Sequence, residues 1–163
     1  MRGITIVSRS AEETRGIGRA LGALLVAGDV VLLAGDLGAG KTELTKGIGS
    51  TLGVDGVIVS PTFTLARRYP GRVPLVHVDL YRLDRVQELL DLGLEEEGDD
   101  AVIVVEWGDV ATAHLPAERL EVQIAQVGAG DGNDDERAIT IVPQGPSWHS
   151  RDAELARLAH GLA

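Results

Sequence analysis

Residues 35–42 have the types and spacing of a phosphate-binding loop. They fit the pattern G-x-x-x-x-G-K-[ST] in full, and they are Gly35, Asp36, Leu37, Gly38, Ala39, Gly40, Lys41 and Thr42. Glycines let such a loop adopt positive φ angles, so its N–H groups approach an anion without Cβ clashes. Lys41 can then reach the terminal phosphates, and the Thr42 hydroxyl can ligate Mg²⁺. The loop therefore predicts a site that holds a nucleoside triphosphate.

The segments on either side of this loop are those expected around a phosphate-binding loop, a strand before it and a helix after it. Before it, residues 30–34 form a continuous apolar run, which is typical of a strand buried on both faces. After it, Leu44, Ile48 and Leu52 lie four residues apart on one face of a helix. The start of that helix adds N–H donors and the positive end of its dipole. Strand, glycine loop and helix together favour a phosphate site over an accidental match.

Two other apolar runs end in an acidic residue. Residues 101–106 end in Glu106, the form of a Walker B strand whose carboxylate meets Mg²⁺ or its waters. Residues 75–79 end in Asp79, which would project into the crevice where α/β sheets bind ligands. Asp79 is a candidate to orient water or to hold Mg²⁺ through water, and the alternative is a cap on the next turn. We interpret His77, in the same run, as an ordinary strand residue rather than a metal ligand.

Hydroxyl groups surround a rigid proline in residues 60–64, which read Ser-Pro-Thr-Phe-Thr. Pro61 cannot donate to a central ladder, and it pushes Ser60 out of the α region. Such a segment, one helix beyond the loop, is either a switch over the γ-phosphate or a surface loop before a strand at 64–69. Trp107 follows Glu106; it either packs under the site or lies at a partner surface, and core packing is the commoner fate of a lone Trp.

Two further side chains are candidates for contact with the nucleotide. Ser10 and Glu13 have the spacing of a capping box, so Ser10 is expected to start a helix, and a contact with the base is the alternative. Arg137, just before the last strand, could touch the nucleotide or remain a surface charge.

The alternation of these segments predicts the α/β class. We expect a single P-loop NTPase domain over residues 1–142, with a mixed, mainly parallel central sheet flanked by helices, and a tail over 143–163 that can form a short helix from 152 to 160. The other expected elements are strands at 3–7, 64–69, 73–80, 120–124 and 138–142, a helix at 84–92, an acidic loop at 95–100 and a hairpin loop at 128–135.

Composition excludes several classes of function. The chain has no Cys, so it can have no disulfide framework, zinc–thiolate site or cysteine nucleophile. Its net charge of −10 disfavours direct, extended nucleic-acid binding, which rests on a basic footprint. No stretch of the sequence approaches a signal peptide or a membrane span, so we expect a cytoplasmic protein without membrane contact.

Taken together, the motifs resemble the bacterial ATPase family required for tRNA threonylcarbamoyladenosine synthesis, the TsaE or YjeE family. The motifs are Gly-Asp-Leu-Gly-Ala-Gly-Lys-Thr at 35–42, Ser-Pro-Thr-Phe-Thr-Leu at 60–65, Asp-Leu-Tyr-Arg-Leu at 79–83 and Glu-Trp at 106–107. They occur in the family's order and at its spacing. The resemblance runs from about Ser10 to Val142 and leaves the last residues uncovered.

The resemblance implies a domain that binds ATP or ADP with Mg²⁺ and hydrolyses ATP. It implies that Lys41 and Thr42 serve phosphate and metal, that Glu106 serves Mg²⁺, and that Asp79 and Trp107 are required for function. The implied partners belong to the TsaB and TsaD families, which carry the transferase chemistry on the tRNA adenosine. The ATPase would bind this pair and reset it between turnovers, so its contact with tRNA would be indirect.

Glu43 departs from the family's pattern, which usually has a second Thr or another small residue there. A carboxylate in the first turn of a helix is favoured by the helix dipole. It would, however, lie near the bound phosphates and weaken their binding by like-charge repulsion. We therefore predict that Glu43 borders the nucleotide site but points its side chain away.

Two other functions remain open at this point. Many compact P-loop domains are small-molecule kinases, but a kinase usually has a lid that carries arginines, and here only Arg67, Arg68 and Arg82 are scattered nearby. The third possibility is a regulator that senses ATP or ADP without hydrolysing it.

Overall fold

The structure is a computed structural model that describes residues 3–61, 65–80, 86–91, 93–107, 112–128 and 135–161. Its elements in chain order are β1 (Ile4–Ser8), α1 (Ala11–Gly22), β2 (Val30–Ala34), α2 (Lys41–Thr51), β3 (Ala66–Tyr69), β4 (Leu75–Asp79), α3 (Val86–Asp91), α4 (Leu94–Gly98), β5 (Val102–Glu106), β6 (Arg119–Gln126), β7 (Arg137–Gln144), α5 (Pro146–His149) and α6 (Asp152–Gly161).

The strands form a seven-stranded sheet in the order β1-β7-β6-β2-β5-β4-β3. Strand β2 is parallel to both β5 and β6, and β4 is parallel to β5. Strand β7 is antiparallel to β1 and β6, and β3 is antiparallel to β4. Five strands therefore run in one direction, which confirms the predicted mixed, mainly parallel α/β sheet. The strand that leads into the glycine loop, β2, lies at its centre.

Helices α1 and α2 cover one face of the sheet and position the glycine loop. Leu21, Leu44 and Ile48 are fully buried between these helices and the central strands. The two helices cross where each carries a glycine. A Cβ on Gly47 would collide with the Arg15 carbonyl oxygen, and a Cβ on Gly18 would collide with the Leu44 carbonyl oxygen. This close crossing fixes the start of α2 relative to α1.

The other face of the sheet carries a smaller apolar cluster. It includes Leu32, Val78 and Val105 from the central strands, packed with Leu80 and Leu115. All five residues of β5 are buried. This burial explains the continuous apolar run at 101–105, because a strand covered on both faces needs apolar side chains in both directions.

The acidic segment at 95–100 differs from the expectation. Residues Leu94–Gly98 form α4 instead of a loop, so the loop prediction is wrong for 95–98. Three glutamates in the first turn suit the positive end of a helix dipole. Arg68 on β3 bonds to both Glu97 and Asp100, which ties this segment to the edge of the sheet.

Most other expected elements are present with shifted ends. The hairpin of β3 and β4, the helix started by Ser10 and the last two strands are confirmed. Helix α3 is described from Val86 to Asp91, and the predicted start at 84 and end at 92 lie outside the described residues. Most of the predicted hairpin loop at 128–135 also lies outside them.

The last residues pack on the domain. The expected helix at 152–160 is confirmed as α6, which follows the short helix α5. Trp148, Leu155 and Leu158 are buried in the core beside α1 and β1. Arg151 bonds to both carboxylate oxygens of Asp29 and lies over the Trp148 ring. Residues 143–161 therefore pack against the rest of the α/β domain.

No helix within the described part of the chain has the length and apolar character needed to cross a membrane.

Candidate nucleotide-binding site

The glycine loop adopts the backbone that its sequence predicts. Gly35, Gly38 and Gly40 have φ angles of 152°, 78° and 111°, a region that side chains disfavour. A Cβ on Gly35 would lie 2.6 Å from the Ile124 carbonyl oxygen on β6, so this position also needs glycine for space. Gly40 is the N-cap of α2 and carries no side chain to cap it. The first N–H groups of α2 thus receive no side-chain cap from the N-cap residue and remain available to an anion.

Lys41 lies inside the loop. Its side chain is buried, and Nζ donates to the carbonyl oxygens of Gly35 at 2.6 Å and Asp36 at 2.9 Å. Nζ also lies 3.8 Å from the centroid of the Trp107 ring, which is a cation–π contact. Carbonyl dipoles and an aromatic face therefore hold the ammonium group where an anion would enter.

Trp107 has a strained backbone at the end of β5. Its φ of 61° is the one positive value among the described non-glycine residues. A bulky residue in this region costs about 1–3 kcal/mol and persists only when its surroundings hold it. The Trp107 N–H donates to the Leu33 carbonyl at 2.9 Å, and the ring contacts Lys41. Of the two predicted places for Trp107, the structure favours the one at the site.

The two strand-end acids lie side by side. Asp79 and Glu106 are partners in the register of β4 and β5. Glu106 is 3% exposed, and the Thr42 hydroxyl donates to its Oε1 at 3.4 Å. The Ser60 hydroxyl donates to Asp79 Oδ2 at 2.8 Å. Asp79 and Glu106 therefore lie together at the carboxyl ends of β4 and β5. The start of α2 contacts Glu106 there, and Ser60, the first residue of the expected switch, contacts Asp79.

The structure describes only part of the rest of the expected switch. Residues 62–64 lie outside the described part of the chain, whereas Pro61 and Leu65 on either side are buried. The next turn after Asp79, over 81–85, is also outside it. Whether Asp79 caps that turn stays a prediction.

His77 is a site residue that sequence reasoning missed. It is fully buried, and its Nε2 lies 2.8 Å from Glu106 Oε1. Alternation along β4 places His77 on the same face as Asp79, two residues ahead of it. That alternation was the available signal, but the partner on β5 becomes visible only once the strands are paired.

Glu43 contacts two cations, and its orientation relative to the nucleotide stays a prediction. Its carboxylate bonds to Arg15 on α1 and to Lys46 one turn along α2, the latter at 2.8 Å. Burial alone would raise the pKa of Glu43, but hydrogen bonds and charge from Lys46 and Arg15 outweigh it, so the pKa is lowered. The negative charge is thus compensated by two cations beside the loop.

Ser10 and Arg137, the two further candidates for contact with the nucleotide, differ in their contacts. The Ser10 hydroxyl accepts from the Glu13 N–H at 3.0 Å, and the Glu13 carboxylate accepts from the Arg9 N–H, so Ser10 has the capping role that was expected. Arg137 reaches the loop from β7, and its Nε donates to the Ala39 carbonyl at 3.1 Å. Arg137 is therefore placed beside the loop, while the Ser10 hydroxyl is used at the start of α1.

The fold and the glycine loop define the class: a single-domain α/β protein of the P-loop NTPase type. Residues 8–137 match the profile of the family described as Threonylcarbamoyl adenosine biosynthesis protein TsaE. The chain is 46% identical over 145 residues to the tRNA threonylcarbamoyladenosine biosynthesis protein TsaE of Streptomyces coelicolor, a match that covers 86% of this chain and 97% of that protein.

Other comparisons agree. The protein of the same name from Bacillus subtilis is 42% identical over 148 residues, covering 90% of this chain and 89% of that one. A crystal structure of YdiB from Bacillus subtilis is similar with a TM-score of 0.80 and 36% identity, and the match covers 96% and 95% of the two chains. The chain belongs to the TsaE family, and this assigns it a role in the biosynthesis of threonylcarbamoyladenosine on tRNA.

Proposed function

We propose that this chain is the ATP-binding and ATP-hydrolysing component of the cytoplasmic machinery that forms threonylcarbamoyladenosine on tRNA. It would bind ATP with Mg²⁺, release ADP, and act on a transferase pair of the TsaB and TsaD families. Contact with tRNA would be made through that pair, since a net charge of −10 does not supply the basic footprint of a direct binder.

The contact between Thr42 and Glu106 is the observation that carries this proposal. It joins the first turn of α2 to the end of β5, which are 64 residues apart in the chain. A hydroxyl from the phosphate loop beside a carboxylate from a neighbouring strand is the usual protein contribution to a nucleotide-bound magnesium site.

The side chains around this contact suit a magnesium ion. Thr42, Glu106 and Asp79 offer hydroxyl and carboxylate oxygens, which are the ligands that hard cations prefer. Two buried carboxylates on adjacent strand ends also favour a cation between them and the phosphates. Bound with ATP, Mg²⁺ would neutralise the negative charge of the phosphates during hydrolysis.

The chain's own groups would bind and orient the phosphates. Lys41 would exchange its carbonyl contacts at Gly35 and Asp36 for phosphate oxygens, which the flexible four-carbon stem allows. The N–H groups at the start of α2 would donate to the same phosphates. Asp79, held by Ser60, lies at the strand end from which it could orient water.

Arg67 and Arg68, two of the three candidates for a lid, do not support the alternative of a small-molecule kinase. Arg68 is paired with Glu97 and Asp100 on the outer edge of the sheet, and Arg67 lies over the Tyr69 ring. Neither is placed like an arginine of a lid. Arg82 lies outside the described residues.

Glu106→Ala tests the proposal. We expect this variant to bind ATP within about threefold of the unmodified chain but to hydrolyse it at least about 100-fold more slowly, because ligands of a catalytic metal contribute mainly to turnover. Glu97→Ala, a change of the same type far from the site, should leave both unchanged. Equal hydrolysis by Glu106→Ala and the unmodified chain would contradict the proposal.

A further inference from the structure

The imidazole ring of His77 is polar but lies in an apolar part of the core, which packing alone does not explain. The residue lies in the middle of β4 with its side chain 0% exposed, and Leu75, Val76 and Val78 around it are buried and apolar. A buried polar group has a free-energy cost unless it is hydrogen-bonded, so an aliphatic side chain would serve the core better. The position of His77 therefore calls for an explanation beyond packing.

The hydrogen bonds of His77 point to a single partner. Nε2 lies 2.8 Å from Glu106 Oε1, while Nδ1 has no hydrogen-bond partner among the residues that the structure describes. An ionised carboxylate only accepts, so a hydrogen bond from His77 to it requires the ring proton on Nε2. The ring is thus held in the sheet with one polar contact, and that contact is to the strand-end acid.

His77 and Thr42 approach the same oxygen of Glu106 from two directions. His77 donates from the neighbouring strand, and Thr42 donates from the start of α2. Glu has three rotatable side-chain bonds, and two donors on Oε1 restrict the carboxylate to one orientation. Oε2 takes part in neither of these two contacts and is the oxygen left for a ligand.

We propose that His77 is a positioning residue that orients the Glu106 carboxylate, so that its second oxygen faces the magnesium-nucleotide site. This inference rests on the proposed function, because it assumes that Glu106 serves a metal. Groups that hydrogen-bond to a metal-site carboxylate typically change metal affinity or activity by about 10–100-fold when removed.

The test measures the affinity of Mn²⁺, used as a probe for Mg²⁺, for the ADP-bound full-length chain by electron paramagnetic resonance. His77→Leu removes the donor and fills the space with apolar atoms. We expect it to weaken Mn²⁺ binding by about tenfold or more, while ADP affinity without metal changes by less than about threefold. His77→Gln places an N–H donor near the position of Nε2 and should restore Mn²⁺ affinity to within about threefold of the original value.

Val78→Ala is the matched control for general damage to β4, since Val78 is buried on the opposite face of the same strand. It should lower the melting temperature without changing Mn²⁺ affinity. The inference is overturned if His77→Leu binds Mn²⁺ like the unmodified chain, if Val78→Ala loses as much affinity as His77→Leu, or if His77→Gln is as weak as His77→Leu.

A second measurement does not depend on metal binding. Nitrogen NMR of the unmodified chain with labelled histidine reports which ring nitrogen of His77 carries the proton, and His77→Gln assigns the signal. A proton on Nε2 supports the inference, and a neutral ring protonated on Nδ1 overturns it. If the unmodified chain fails to hold Mn²⁺ with ADP, the proposed function fails instead, and the tautomer still decides the His77–Glu106 contact.

Discussion

Ser60 donates a 2.8 Å hydrogen bond to Asp79 Oδ2 and so connects the segment after α2 with the end of β4. Asp79 lies beside Glu106 in the strand register, and Thr42 contacts Glu106. The segment that begins at Ser60 is therefore linked to the predicted phosphate site through two adjacent carboxylates. Asp79 and Glu106 are the residues through which a change at the phosphates would reach this segment, and through which a change in the segment would reach the phosphates.

Ser60→Ala tests whether this hydrogen bond matters for turnover. A hydrogen bond to a charged group contributes about 1.5–3 kcal/mol, so loss of orientation at Asp79 should lower kcat by about tenfold or more. ATP affinity should stay within about threefold, because Ser60 is not placed at the loop. Ser50→Ala removes a hydroxyl at the far end of α2 and is the control. An unchanged kcat in Ser60→Ala would show that the bond does not orient Asp79 for hydrolysis.

The contact of Lys41 with the Trp107 ring predicts a fluorescence signal. The chain has two tryptophans, so Trp148→Phe leaves Trp107 as the sole source of tryptophan emission. If Lys41 leaves the ring for the phosphates, ATP should change the emission of this variant. The reciprocal variant, Trp107→Phe, should show no change because Trp148 is buried on α5 and contacts Arg151 instead of Lys41. A response in Trp107→Phe and none in Trp148→Phe would refute this account of Lys41.

The cations around Glu43 predict a pH-dependent contribution to stability. The pKa of Glu43 is lowered in the folded chain, so its stabilisation is present above the unfolded pKa and is lost as pH falls through the folded pKa. Glu43→Gln should lower the melting temperature by about 1–2 °C near pH 7, and the difference should shrink as the pH falls. Thermal unfolding as a function of pH checks this, and a difference that grows toward acid pH would contradict it.

Glu43 should also be neutral toward ATP, because its charge is compensated by Arg15 and Lys46. In Glu43→Thr we expect ATP affinity within about threefold of the unmodified value, measured by calorimetry. An increase of about tenfold, roughly 1.4 kcal/mol, would mean that the carboxylate repels the phosphates after all.

The close crossing of α1 and α2 predicts opposite effects for two glycine substitutions. A Cβ on Gly47 would collide with the Arg15 carbonyl, so Gly47→Ala should lower the free energy of unfolding by about 1–3 kcal/mol. A Cβ on Gly16 would meet only the end of the Arg19 side chain at 3.6 Å, so Gly16→Ala should be neutral or stabilising by up to about 1 kcal/mol. Denaturant titration of both variants checks this, and equal effects would remove the crossing as an explanation.

The parts of the fold that were predicted from sequence are those whose signals are local. The apolar runs at β2 and β5, the glycine loop and the capping box at Ser10 each depend on a few consecutive residues. Their physical causes, namely two-sided burial, positive φ and unsatisfied N–H groups, act within the segment itself. The pairing of Glu106 with the loop spans 64 residues, and it was anticipated from the Walker B form of residues 101–106 combined with the glycine loop.

The parts that were missed depend on residues far apart in the chain. His77 has a partner on β5, Gly47 faces a carbonyl on α1, and Trp148 packs in a core to which most of the chain contributes. No pattern within β4 or within the last 21 residues reveals these contacts before the strands are ordered. The acidic segment at 95–98 was misjudged for another reason: charge was weighed there, but the compatibility of glutamate with a first helical turn was not.

ATP hydrolysis by the full chain, measured with and without the TsaB- and TsaD-family proteins of the same organism, decides whether the chain is a partner-controlled ATPase. We expect slow hydrolysis alone and a rate at least about tenfold higher with the pair, with Glu106→Ala binding ATP but failing to turn over in both conditions. Hydrolysis that the pair leaves unchanged would indicate a nucleotide sensor. Stoichiometric transfer of phosphate to a small acceptor without any added protein would indicate a kinase, and either result would contradict a partner-controlled ATPase.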